Sequence, residues 1–133
     1  MADLLSDSDQ QYLTDKGFEF EALVEGGMIL LIIHNFALPS GYQPVAVDLL
    51  LRLPLQFPEV GPDMFWTDPV VTYSESGGPP QATGPNEPYA GRTWQRWSRH
   101  FGQSLWRPGI DDLRSYLRLI RATLEREVGA LAA

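Results

Sequence analysis

The sequence predicts an α+β fold: an N-terminal helix, a four-stranded antiparallel meander, a long loop and a C-terminal helix packed on the sheet. Three observations carry this expectation. Apolar residues alternate with acidic ones over residues 18–25 and then run almost unbroken over 28–38, the patterns of strands buried on one face and on both. From Ile110 to Val128 apolar residues recur every three or four positions, the step of a helix with one buried face. The 12 glycines and 11 prolines among 133 residues suit strands and turns better than a helical bundle. With 44% hydrophobic residues, the chain has enough apolar surface for one core, so residues 1–133 are read as a single domain.

The elements follow in order. Ser6 and Ser8 are candidate N-caps of a short first helix, and Gly17 is its stop. Phe18, Phe20, Ala22 and Val24 alternate with Glu19, Glu21 and Glu25 in a half-buried first strand, and Gly26-Gly27 marks a tight hairpin. Residues 28–38 form a second strand, in which His34 is expected to be a core histidine. Residues 45–53 form a third strand ended by Pro54, and Asp63–Thr67 a fourth ended by Asp68-Pro69. Residues 76–91 hold four glycines and four prolines and show no periodicity, so they read as the long loop. Pro108 and Gly109 suit the start of the last helix, with Asp111 and Asp112 complementing its dipole. Its face of Ile110, Leu113, Leu117, Ile120 and Leu124 should meet sheet residues such as Ile32, Leu49 or Leu51. Trp66, Trp94 and Trp97 read as core and loop anchors.

Composition excludes several function classes. Cysteine is absent, which removes disulfides, thiolate metal sites and a cysteine nucleophile. The two histidines, His34 and His100, lie far apart, and no phosphate-binding glycine motif is present. No metal and no organic cofactor are therefore expected. No run approaches the roughly 18 apolar residues of a membrane span, and the acidic N-terminus lacks the basic stretch of a secretory signal; a cytoplasmic protein without a membrane partner is expected. The net charge is −7, which disfavours nucleic acid as a partner. The charge is uneven: residues 1–89 carry 13 acids and 2 bases, a balance of −11, whereas residues 90–133 carry 8 arginines and 4 acids, a balance of +4.

Several short motifs in this order are more specific. Leu38 to Tyr42 read Leu-Pro-x-Gly-Tyr, Phe57-Pro58 and Pro62 precede Asp63-Met64-Phe65-Trp66, Trp97-Ser98-Arg99-His100 follows the long loop, and Trp106-Arg107-Pro108-Gly109 opens the last helix. Together they resemble the ubiquitin-conjugating enzyme superfamily, and within it the bacterial branch called prokaryotic family E, over roughly residues 5–128. The resemblance implies acyl transfer of a ubiquitin-like modifier protein, received from an activating enzyme and passed to a target protein. It further implies a bacterial operon setting linked to antiphage defence. Phe57, Pro58, Trp106, Arg107 and Pro108 would then contribute to partner binding.

The superfamily's catalytic cysteine stands eight residues before the tryptophan of Trp-x-Pro, and here that position is Ser98. Three readings are open: a native nucleophile that carries the modifier as an oxyester, a serine substituted for a natural thiol, or a structural residue of an inactive variant that binds the modifier or the activating enzyme noncovalently. A hydroxyl, unlike a thiol, is not ionised near neutral pH and needs a base within hydrogen-bond reach. His100 is the candidate base, because residues two apart in an extended segment point the same way. Arg99 or Asn86 would assist the oxyanion. The usual His-Pro-Asn is missing: Pro85-Asn86 is its nearest echo, with Asn86 twelve residues before Ser98. The first helix carries Asp7, Asp9 and Asp15 where many relatives are basic, so their mode of docking the activating enzyme does not transfer.

Overall fold

The computed structural model describes residues 4–101 and 105–131. Helix α1 spans Asp7–Asp15. The strands are β1 Glu19–Glu25, β2 Met28–Ala37, β3 Tyr42–Gln43, β4 Ala46–Pro54, β5 Phe65–Asp68, β6 Thr72–Tyr73, β7 Thr83–Tyr89 and β8 Arg92–Trp97, and helix α2 spans Leu113–Ala130. Six strands form one antiparallel sheet in the order β1-β2-β4-β5-β8-β7, and β3 pairs with β6 in a separate ribbon. The α+β architecture is as expected, but the sheet has six strands and not four: the expected strands correspond to β1, β2, β4 and β5, and β8 and β7 extend the sheet.

The expected loop over 76–91 is in part a hairpin: residues 83–89 are β7, paired with β8 from Thr83↔Trp97 to Tyr89↔Arg92. Two prolines fit there because β7 is a sheet edge, where a missing N–H costs no ladder bond. The extra residue of a bulge between Thr83 and Asn86 falls at Gly84, whose φ is 90°. Ala90 and Gly91, with φ of 51° and 73°, make a two-residue turn of the same handedness as Gly26-Gly27.

A second bulge lets β2 bury residues of both parities on one face. Ile33 pairs with Leu49 but Phe36 pairs with Val47, so β2 carries one extra residue, with Asn35 at φ 54°. Ile29, Leu31, Ile33 and Phe36 thus all reach the face that packs with α2, together with Leu49, Leu51, Phe65 and Trp97. Leu30 and Ile32 point to the opposite face, against Leu50, Trp66 and Trp94. The expected contact of Ile32 with the last helix is therefore corrected: Ile32 has the other strand parity. Its face is covered by the sheet itself. Glu25, at the end of edge strand β1, accepts Ala90 N–H in the β7–β8 turn at 3.2 Å, so the sheet curls until its two edges meet at one end. The Arg52 guanidinium lies over Tyr89 and Trp66, 4.5 and 5.7 Å from the ring centroids.

Both helices are closed by local chemistry. Ser6 Oγ accepts Asp9 N–H, and Gly17 at φ 78° donates to Thr14 C=O. Asp112 caps α2, in a reciprocal pair with Ser115. The expected start at Pro108-Gly109 is a separate turn, with Gly109 at φ 82°, and Ile110 lies outside the helix and is 65% exposed. Leu113, Leu117, Ile120 and Leu124 are buried as expected. Asp9, also buried, accepts Leu113 N–H at 3.3 Å and so ties α1 to the positive end of α2; burial raises its carboxyl above the usual range.

His34 is not a core histidine. It is half-exposed, with Nε2 2.9 Å from Glu21 and Nδ1 3.2 Å from Asp48, next to Arg92, which pairs with Asp48 and Asp68. With a carboxylate at each nitrogen, the doubly protonated ring is favoured, and its hydrogen bond to Glu21 is the main cause of a raised pKa.

Two measurements check this description. Leu117→Ala should lower stability by about 2–5 kcal/mol in denaturant unfolding, as a core truncation, whereas Ile110→Ala should stay within about 0.5 kcal/mol. Because the folded pKa of His34 is raised, its contribution is complete below the ordinary histidine value of about 6.5 and is lost as pH rises through the raised value. The stability gap between wild type and His34→Ala should accordingly be wider at about pH 5.5 than at about pH 9; a pH-independent gap would contradict it.

Candidate functional site

The site is built outward from Trp97, the last residue of β8. Its indole is fully buried and stacks on Phe65, with centroids 5.1 Å apart. Its N–H donates to Thr67 Oγ1 at 2.9 Å, and Thr67 donates in turn to Gln95 Oε1 at 2.9 Å. Gln95 then closes on both the N–H and the C=O of Val71. Tyr42 adds an edge contact to Trp97 at 6.2 Å and donates to Leu124 C=O of α2 at 2.7 Å. Gly41 explains part of its motif, because a Cβ there would collide with Val128 of α2.

Ser98 follows directly. Its N–H donates to Ala82 C=O at 3.0 Å, and Arg99 N–H donates back to Trp97 C=O at 2.9 Å. An i→i+2 bond of this kind makes a three-residue turn centred on Ser98, so the segment is not extended and Ser98 and His100 do not share a strand face. Ser98 is half-buried, and among the described residues its hydroxyl has no hydrogen-bond partner.

The flanking residues are held by side chains far away in sequence. Arg99 makes a two-point ion pair with Glu127 of α2, both bonds 2.7 Å, and lies over the Trp97 ring at 5.2 Å. Its side chain is only 9% exposed. His100 Nδ1 is 2.9 Å from Asp63 Oδ2, and Asp63 Oδ1 accepts Phe101 N–H at 3.1 Å. The His100 ring is otherwise open to solvent, at 70% exposure, and no hydrogen bond joins it to Ser98. It lines one wall of a groove of about 640 Å³ with Phe101, Trp106, Tyr116, Arg118 and Leu119; Ser98 does not line it.

Phe57, Pro58 and Trp106 do come together. Trp106 N–H donates to Pro58 C=O at 2.7 Å, and its ring centroid is 5.8 Å from Phe57. Gly61 permits this seat: a Cβ there would lie 2.5 Å from the indole. Arg107 is exposed and folds back onto Asp111, and Pro108 is exposed in the turn that follows. Asn86 is exposed on β7 opposite Gln95, three residues along the ladder from Ser98, roughly 10 Å at strand rise. Asp63 and Glu127 escaped sequence reasoning. Asp63 opens the Asp63-Met64-Phe65-Trp66 motif, but its partner is 37 residues away; Glu127 carries no local signal at all.

A family model described as prokaryotic E2 family E matches residues 5–127. The chain belongs to prokaryotic E2 family E. No curated protein and no solved structure matches it. Membership in this E2-like family carries a conjugation-related function and implies protein partners in conjugation. In this family E member no cluster of three or more His, Asp or Glu side chains suited to a metal ion occurs among the described residues, and none of its described helices is long and apolar enough to cross a membrane.

Glu127→Gln tests the anchor of the Ser98 segment. It leaves the largely buried Arg99 guanidinium without its ion pair, an arrangement that costs about 3–5 kcal/mol in fully buried cases. A loss toward the low end of that range is expected in denaturant unfolding, and a loss below about 0.5 kcal/mol would place the pair among exposed ones.

Proposed function

We propose that this family E protein is an acyl carrier. It accepts the C-terminal acyl group of a ubiquitin-like modifier from an activating enzyme as an oxyester on Ser98 and passes it to a target protein. The observation that carries the reading is the state of Ser98: at the superfamily's nucleophile spacing, its backbone is pinned on both sides while its hydroxyl is left unengaged among the described residues. A serine hydroxyl that no protein group engages keeps its lone pairs for an incoming acyl carbon.

The chemistry is a transesterification. Ser98 Oγ bonds to the acyl carbon of a modifier thioester on the activating enzyme, and the acyl carbon–sulfur bond breaks. The Ser98 proton passes to His100 Nε2 and from there to the departing thiolate. His100 is the base in this scheme because Asp63 takes its Nδ1 and leaves Nε2 of an exposed ring open to accept a proton. Arg99, committed to Glu127, holds the segment in place. Asn86 lies too far along the ladder for oxyanion contact in this arrangement.

Incubation with the cognate activating enzyme, modifier and ATP, followed by intact mass, is the test. The adduct should survive thiol reductant and be cleaved by hydroxylamine, because an alkoxide is a poorer leaving group than a thiolate. Ser98→Cys should give a reductant-sensitive adduct, and Ser98→Ala none. His100→Ala should slow loading by about 10²–10⁴-fold. A modifier mapped to another residue, or an adduct on the Ser98→Ala protein, would remove the hydroxyl from the reaction and leave noncovalent binding as the function.

A further inference from the structure

We infer that Asp63 is a positioning residue for the acyl-transfer site: it selects the ring tautomer in which His100 Nε2 is free to take a proton. The inference rests on the reading of His100 as the base for Ser98. A carboxylate near neutral pH only accepts hydrogen bonds. With Asp63 Oδ2 2.9 Å from His100 Nδ1, the proton of a neutral imidazole sits on Nδ1, and the lone pair on Nε2, the nitrogen Asp63 leaves open. The other oxygen, Oδ1, accepts Phe101 N–H at 3.1 Å. One side chain thus sets both the ring and the backbone beyond it.

Asp63 is itself held. Met64 donates its N–H to Arg99 C=O at 3.2 Å and accepts from the Tyr116 hydroxyl at 2.7 Å. Just past the last pair of β5 with β8, Phe65↔Trp97, the bond to Arg99 ties the Asp63–Met64 segment to the backbone after Ser98. Met64 adopts φ 60°, a left-handed conformation uncommon for a residue other than glycine; the chain turns sharply where the carboxylate reaches across to His100. A contact between side chains that are 39% and 70% exposed contributes little to stability, so orientation of the ring is what it supplies.

Asp63→Asn separates orientation from folding. The amide oxygen can still accept Phe101 N–H, but the amide NH₂ facing Nδ1 can only donate, which puts the ring proton on Nε2. Expected results are an unchanged melting temperature, a switch of His100 from the Nδ1–H to the Nε2–H tautomer by nitrogen-15 NMR, and a loading rate at Ser98 reduced by about 10²-fold or more. The same substitution in a His100→Ala background should cause no further loss, because the two residues act as one unit. Asp63→Glu, which keeps a carboxylate, should restore the Nδ1–H tautomer and part of the rate. Wild-type loading by Asp63→Asn while His100→Ala is slow would overturn the inference. So would an unaltered tautomer, or an equal extra loss in the His100→Ala background. Wild-type loading by His100→Ala would instead sink the base assignment, and the tautomer measurement would still report whether Asp63 controls the ring.

Discussion

The buried indole of Trp97 is the contact on which the site depends. A tryptophan N–H taken out of water must be satisfied, and here the acceptor is Thr67, which passes the constraint through Gln95 to the backbone of Val71. Each group in that chain is buried. Removing one would strand another, so the end of β8, the segment before β6 and strand β5 are fixed as a unit. Ser98 inherits its position from that unit: the residue after an immobile Trp97 cannot wander, and the bond from its N–H to Ala82 removes what freedom is left.

The second constraint comes from α2. Its apolar face covers one side of the sheet, and from the same helix Glu127 reaches Arg99, Leu124 C=O receives the Tyr42 hydroxyl, and Tyr116 holds Met64. Helix packing and site geometry are thus one problem. Gly41 and Gly61 are the small residues that allow it: Gly41 lets the β3 region approach Val128, and Gly61 seats Trp106 over the turn that begins at Phe57-Pro58. Phe57, Pro58 and Trp106 are one packed cluster in the fold.

Much of the fold was legible. The alternation over 18–25, the apolar run over 28–38 and the three-and-four stepping of the last helix each reflect a local rule: side chains on a strand repeat every two residues and on a helix every 3.6. Among the expectations that failed, three show a local rule being overridden. The segment at 76–91 looked structureless because proline and glycine are poor strand formers, yet β7 sits at an edge where that penalty nearly vanishes. Ile32 faces away from α2: an all-apolar run carries no parity of its own, and pairing with Leu50 of β4 sets it. His34 looked like a core residue from the apolar run around it, but Glu21 and Asp48, 13 and 14 positions away, hold it at the surface.

The sequence by itself determined the class of fold, the succession of its main elements, the family, and Ser98 as the position to question, because periodicity, turn chemistry and motif spacing are all written along the chain. Only the tertiary structure decided what surrounds that serine. Asp63, Glu127 and Thr67 meet His100, Arg99 and Trp97 across separations of 37, 28 and 30 residues. No local pattern encodes such meetings; they arise when antiparallel pairing of β5 with β8 and the packing of α2 bring distant side chains within hydrogen-bond distance.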